Sequence, residues 1–159
     1  MKNSRYIIPV TKSDDFASFL VSVILEGEFS TVLENIRSYA KGNNLTILLF
    51  PTECFISLLQ VRVAERYTQR MFSENRNRGN TEETEFARWI TANRQVKKAL
   101  EICSNINGKK ALLYIKSTKE FNPESINIAG IKVYGEIPED DMKKTVVFLE
   151  KLALIYIND

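Results

Sequence analysis

The sequence contains no histidine and only two cysteines among its 159 residues. The lack of histidine excludes Ser-His and Cys-His nucleophile pairs and removes the commonest metal ligand. Cys54 and Cys103 are too few for a disulfide framework or a cysteine-based zinc site. Both lie among apolar residues, so we expect them to be small core side chains and expect no metal site.

Glycine is also scarce, with six residues scattered at predicted turns. They form no phosphate-binding or dinucleotide-binding loop, and HExxH, CxxC and GxSxG motifs are missing. The acid pairs Asp14-Asp15 and Asp140-Asp141 stand at predicted helix starts, where capping explains them. We therefore expect a binding module with no catalytic residues and no cofactor, although a small enzyme using carboxylates or a tyrosine stays open as an alternative.

No apolar run is long enough for a membrane span, and the start MKNSRYIIPV lacks the apolar stretch of a signal peptide. Hydrophobic residues make up 44% and charged residues 26% of the chain, as in ordinary globular proteins. A chain of 159 residues can bury a core without cross-links. These features predict a single domain over residues 1–159, located in the cytoplasm and not at a membrane.

Apolar runs bounded by turn residues predict both strands and helices. Pro9 places any strand in its run at an edge or ends it there. The pair Thr31 and Glu34 predicts a capping box at the start of the first helix, which Gly42 would close in the left-handed conformation. Strands are predicted in RYIIPV, FASFLVSVILEG, NNLTILLF, ALLYIKS and IKVYGEI.

Residues 51–103 are predicted to form three consecutive helices. Their expected N-caps are Thr52, Thr81 and Asn93. Trp89 stands beside the second junction, where a tryptophan is more typical of a core than of a base-stacking platform. The acids after Pro138 predict the start of a final helix, with a switch to a strand near Leu154 left open.

Positive charge is concentrated in the middle of the chain. Residues 62–78 carry five arginines against two glutamates, a local charge of +3. Three of these arginines recur every fourth residue on one side of the predicted long helix: Arg62, Arg66 and Arg70. Such a stripe is typical of a solvated helix face, and it also suits a track for phosphates, because the guanidinium matches phosphate oxygens.

A family resemblance appears at the second helix junction. Glu85 stands nine residues before Arg94-Gln95-Val96, and Ala99 follows Val96 by three. This spacing resembles the signature of the small KEOPS subunits called PRPK-binding or TPRKB-like proteins, and LEKLALI at 149–155 is similar to archaeal members. The turn 91–93 departs from the pattern, because many relatives have a small residue and glycine there. The likeness starts near residue 16, so residues 1–12 are interpreted as an N-terminal extension.

The resemblance implies an α+β fold with a mainly antiparallel sheet of about four strands flanked by helices. It also implies a non-catalytic role. Members of the family bind and stimulate the kinase/ATPase subunit of KEOPS, and they recruit tRNA through its 3′ CCA end for threonylcarbamoyladenosine modification. Other KEOPS subunits would be contacted indirectly.

Site residues follow partly from the resemblance and partly from charge. The RNA-binding hypothesis names Arg94 and Gln95 from the family match, and adds from charge and predicted geometry Lys97, Lys98, Arg62, Arg66 and Arg70. The final helix is predicted to contact the kinase subunit through Leu149, Leu152, Ile155 and Tyr156. A protein-interaction adaptor without RNA binding, whose basic residues are only solvated surface, stays open as an alternative.

Overall fold

The computed structural model describes residues 5–106 and 109–159. Within them the chain order is β1 Ile7–Lys12, β2 Ala17–Leu25, α1 Phe29–Gly42, β3 Leu45–Pro51, α2 Leu58–Ser73, α3 Glu82–Ile90, α4 Val96–Ser104, β4 Lys110–Ser117, β5 Ile131–Val133 and α5 Met142–Asn158. Short 3₁₀ turns occur at Thr52–Cys54 and Pro123–Ser125. No helix in these described ranges is long and apolar enough to cross a membrane.

The chain divides into two compact units. The first unit contains Met1–Thr52 and Ile106–Ile137, and the second contains Glu53–Asn105 and Pro138–Asp159. The first unit holds the sheet and α1, and the second holds α2 to α5. The prediction that residues 1–159 form a single domain stays a prediction.

The sheet of the first unit is antiparallel throughout, with strand order β1-β2-β4-β3 and β5 paired to β2. The long central pairing of β2 with β4 runs from Ala17 opposite Ser117 to Ile24 opposite Lys110. The prediction of an α+β fold with a mainly antiparallel sheet is confirmed. Its fifth strand covers only Ile131–Val133, which is shorter than the predicted run IKVYGEI.

Successive side chains along each strand point to opposite sides, so the sheet has two faces. One face packs on the helix α1 through Val32 and Ile36. Its strand residues are Val21, Val23, Leu25, Ile47, Leu49, Ala111, Leu113 and Ile115. Residues of the opposite face, such as Leu20, Phe50 and Leu112, are also fully buried. This two-sided burial explains why the runs in β3 and β4 are almost continuously apolar.

The first strand lies at the sheet edge, as Pro9 predicted. A break in the β1–β2 register falls between Pro9 and Thr11, where the proline has no amide hydrogen for the ladder. Residues 7–12 are thus part of the sheet, and their interpretation as an N-terminal extension stays a prediction. The acids Asp14 and Asp15 lie in the β1–β2 turn, so their predicted place at a helix start was wrong.

Several predicted helix ends were wrong. Helix α1 begins at Phe29, so Thr31 and Glu34 lie inside it and form no capping box. Gly42 is the last residue of that helix, and the left-handed conformation falls on Asn44, with a φ of 53°. Because every residue near a helix end competes for the same few amides, one adjacent polar group can displace another as the cap.

In the second unit, too, neighbouring polar residues compete to cap the helices. Helix α2 is capped by Ser57 in a capping box with Gln60, while Thr52 lies in the 3₁₀ turn before it. Thr81 caps α3, as predicted. Gln95, and not Asn93, occupies the N-cap position of α4. Asp141 caps α5, which continues as a helix to Asn158, so the alternative of a strand near residue 154 is excluded.

Trp89 is fully buried in the second unit, which confirms its predicted core position. Its ring stacks on Tyr67 of α2, with ring centroids 4.6 Å apart and planes 14° from parallel. Tyr67 also packs against Tyr156 of α5 at 5.2 Å. These aromatic contacts join α2, α3 and α5 around one point, beside which the candidate site lies.

Candidate anion-binding site

The turn between α3 and α4 closes α3 with a Schellman motif. The amide of Ala92 donates to the carbonyl of Trp89 at 3.3 Å, and that of Asn93 donates to Arg88 at 2.8 Å. Ala92 takes the left-handed conformation with a φ of 52°, a position where glycine is usual. This turn directs Asn93, Arg94 and Gln95 away from the end of α3 and in front of α4.

These three residues line a cavity of about 320 Å³ in the second unit. The full lining is Ala92, Asn93, Arg94, Gln95, Lys98, Lys151 and Ile155. Three of the seven side chains are cationic and none is acidic. Among residues 5–106 and 109–159, neither Lys98 nor Lys151 has an ion-pair partner. The cavity is therefore a concentration of uncompensated positive charge.

The first turn of α4 adds to this positive potential. Gln95 stands at the N-cap, but its side chain accepts no amide hydrogen from that turn. The positive end of the helix dipole and its first amides thus carry no side-chain cap. Cations and helix amides on the same wall favour an anionic ligand.

Arg94 is bound to the end of α5. Its Nη2 donates to the carbonyl oxygen of Asn158 at 3.0 Å, and its Nε lies 3.5 Å from Oδ1 of Asp159. The side chain nevertheless stays about half exposed, at 52%. Arg94 therefore both lines the cavity and shares its charge with a carboxylate.

A buried ion network lies behind this turn. Glu85, Arg88 and Asp159 have side chains at most 1% exposed. Arg88 pairs with Glu85 at 2.5 Å and with Asp159, and its Nε donates to the carbonyl oxygen of Arg94 at 2.9 Å. Because the buried guanidinium binds the backbone of Arg94, the network fixes the position of the cavity wall.

The predicted RNA-binding residues separate into two groups in the structure. Arg94, Gln95 and Lys98 meet at the cavity, whereas Lys97 is exposed but outside its lining. The arginines of α2 are all exposed and line another part of the second unit's surface: Arg62, Arg66 and Arg70.

Arg70 also has contacts within the protein. Its guanidinium lies 4.9 Å from the ring centroid of Tyr156 and 3.9 Å from Glu74. Arg76 donates to Glu74 at 3.0 Å and lies 4.5 Å from the same ring. The hydrogen bond from Arg76, together with one from Tyr156, lowers the pKa of Glu74 from its ordinary value. This end of the arginine series holds α5 to α2, which is a structural role.

The predicted kinase-contact residues lie mainly on the inner side of α5. Leu152 and Ile155 are 0% and 8% exposed, Leu149 is half-buried, and Tyr156 packs on Tyr67. Leu152 and Ile155 therefore pack in the core of the second unit, and the prediction that these residues contact the kinase subunit stays a prediction. The apolar residues of the outer side are Met142, Val146, Val147, Leu154 and Ile157, all more than half exposed. We call these five the outer face of α5.

A second cavity, of about 540 Å³, lies in the first unit at the β1–β2 turn. Three phenylalanines form part of its wall: Phe16, Phe19 and Phe121. Its charged residues are two lysines and two acids, whose charges cancel: Lys12, Lys119, Asp14 and Glu120. The described residues include no cluster of three or more acids, cysteines or histidines that could hold a metal ion. This balanced cavity shows no preference for an anion.

Two residues of the site were missed from the sequence. Asn93 was interpreted as a helix cap, and Lys151 was not named as a site residue. Asn93 lies two residues before the actual N-cap, so its amide group borders the cavity. No local pattern marks Lys151, because only packing brings α5 beside the α3–α4 turn.

Comparison with known proteins leaves the family open. The chain matches no protein-family model, and a search of curated proteins finds no significant match.

Proposed function

We propose that this protein is a cytoplasmic, non-catalytic subunit of the KEOPS complex. It binds the kinase/ATPase subunit and recruits tRNA through its 3′ CCA end for threonylcarbamoyladenosine modification. One observation carries the proposal: Arg94 and Gln95, on which the family resemblance rests, line one cationic cavity with Lys98 and Lys151.

The chemistry of the cavity suits a single-stranded RNA end. Cationic side chains bind phosphates, while the amides of Asn93 and Gln95 offer both donors and acceptors to base edges. Ile155 gives the cavity an apolar surface on which a base or ribose can rest. In this proposal the cavity of about 320 Å³ receives the unpaired terminal nucleotide of the tRNA.

The outer face of α5 suits a protein partner. Five large apolar side chains lie within one side of a helix, with exposures from 52% to 74%. Several exposed apolar residues on one side of a helix are typical of interaction surfaces rather than of solvated helices. In this proposal the kinase subunit covers the outer face of α5.

Binding of tRNA with and without its terminal CCA tests the RNA part. We expect removal of CCA and the variant Lys98→Gln each to weaken binding, whereas Lys132→Gln, an exposed lysine on β5, leaves it unchanged. Lys98 is a cleaner choice than Arg94, which also holds the end of α5. Equal affinity for both tRNAs would overturn the proposal and favour an adaptor without specific RNA binding.

Capture of the KEOPS kinase subunit tests the protein part. Truncation after Glu150 would remove the buried Leu152 and Ile155, so point substitutions are the better probe. We expect the pair Leu154→Asp and Ile157→Asp to abolish capture, while Tyr134→Asp, another exposed apolar residue, retains it. Unchanged capture by the folded double variant would exclude the outer face of α5 as the contact.

A further inference from the structure

We infer that Lys151 of α5 is a phosphate-binding residue of the RNA site, an inference that rests on the proposed function. Lys151 lines the cavity with Lys98, which comes from a helix more than forty residues earlier in the chain. Its side chain is exposed and has no ion-pair partner among the described residues. Lys151 thus adds an uncompensated charge from α5 to the cavity that Lys98 of α4 also lines.

The neighbours of Lys151 on α5 determine which side of the helix it occupies. Leu152 follows it directly and is completely buried, and Ile155, one turn later, is 8% exposed and lines the same cavity. Residues four apart lie one above the other on a helix. Lys151 and Ile155 therefore lie on one side of α5, and a nucleotide that rests on Ile155 would have its phosphate near Lys151.

Charge compensation distinguishes the three cations. Arg94 lies 3.5 Å from Oδ1 of Asp159, so part of its charge is already neutralised within the protein. Lys98 and Lys151 have no such compensation. The anion therefore gains most of its electrostatic stabilisation from the two lysines, one from α4 and one from α5.

The ligand class follows from this arrangement. Two uncompensated ammonium groups in one cavity, together with amide side chains and an apolar residue, favour a phosphodiester of single-stranded RNA over an isolated small anion. The nucleotide would place its phosphate between Lys98 and Lys151 and its base beside Asn93, Gln95 and Ile155.

The salt dependence of tRNA binding tests this assignment. In the full-length protein we expect Lys151→Gln to weaken binding roughly three- to tenfold at low salt and to reduce the slope of log K against log salt by about 0.7, the loss of one phosphate contact on a single strand. The control Lys143→Gln, an exposed lysine of α5 outside the cavity, should leave affinity and slope unchanged. Lys151→Arg should retain the slope because it retains the charge.

The outcomes separate this inference from the proposed function. A wild-type slope in Lys151→Gln, with a reduced slope in Lys98→Gln, would remove Lys151 from the site and leave the proposed function standing. A wild-type protein that does not bind tRNA would overturn both. Equal weakening by Lys143→Gln and Lys151→Gln would show a general charge effect and would also overturn the assignment.

Discussion

The indole N–H of Trp89 donates to Oε2 of Glu85 at 2.8 Å, in an environment where both side chains are fully buried. The same carboxylate accepts from Arg88 and from the backbone amides of Arg78 and Gly79, at 2.9 and 2.8 Å. Glu85 therefore joins the loop after α2, the core tryptophan and the buried arginine. The wall of the cavity depends on this carboxylate, because Glu85 pairs with Arg88, which binds the backbone of Arg94.

The charge of Glu85 is expected to be essential for stability. In Glu85→Gln, Arg88 loses one of its two buried carboxylate partners, and we expect the free energy of unfolding to fall by about 3 kcal/mol. Urea denaturation followed by tryptophan fluorescence measures this change. The control Glu83→Gln, in the first turn of the same helix, should cost less than about 1 kcal/mol. Equal losses in the two variants would contradict a special role of the buried pair.

Gly79 has no room for a side chain. A Cβ atom there would lie 2.5 Å from the amide nitrogen of Glu85, which is backbone and cannot move aside. We expect Gly79→Ala to destabilise the protein by about 2–3 kcal/mol. Gly42→Ala is the matched control, since nothing lies within 4 Å of its Cβ position at the end of α1. Thermal unfolding should show that Gly42→Ala raises the free energy of unfolding slightly, by up to about 1 kcal/mol. A rise in Gly79→Ala would contradict the close approach of Gly79 to the backbone of Glu85.

Two leucines on opposite sides of α5 should differ in how much they contribute to stability. Leu152 is completely buried, so Leu152→Ala should lower the free energy of unfolding by about 2–5 kcal/mol. Leu154 is 61% exposed, so Leu154→Ala should change it by less than about 0.5 kcal/mol while weakening capture of the kinase subunit. Chemical denaturation and a capture assay on the same two proteins check this. A large loss of stability in Leu154→Ala would show that the helix faces are reversed.

Both thiols should be unreactive in the folded protein. Burial raises the pKa of Cys54 to about 11 and that of Cys103 to about 12. At pH 8 we expect alkylation by iodoacetamide, followed by mass spectrometry, to be roughly 100-fold slower for Cys54 in the folded protein than in urea, because the thiolate is the reactive form. Similar rates in both conditions would contradict this prediction.

The same raised pKa values predict that the free energy of unfolding falls as the pH becomes alkaline. A raised pKa in the folded state means that the unfolded chain releases its thiol protons first. The stabilising contribution is complete below the unfolded value of 9.0 and is lost as pH rises through the folded values near 11 and 12. The variant Cys103→Ala should therefore show a smaller loss of stability between pH 9 and pH 12 than the wild-type protein.

Local rules predicted the elements that depend on neighbouring residues alone. The apolar runs that contain residues 17–25, 45–51 and 110–117 predicted the strands β2, β3 and β4, because a strand buried on both faces needs apolar side chains at successive positions. Thr81 was identified as the cap of α3, since its partner Thr84 is only three residues away. Thr52 was predicted as the cap of α2, whereas Ser57, in a capping box with Gln60, is the residue that caps it.

The sequence by itself determined that strands and helices are mixed and that Trp89 is buried, because these features follow from periodicity and from side-chain size. The antiparallel sheet was only implied by the family resemblance. Only the tertiary structure decided which side of α5 faces inward, since both sides carry apolar residues and periodicity alone cannot rank them. It also decided the membership of the cationic cavity. Lys98 and Lys151 lie far apart in the chain, and only the packing of α5 beside the α3–α4 turn brings their charges to one anion site.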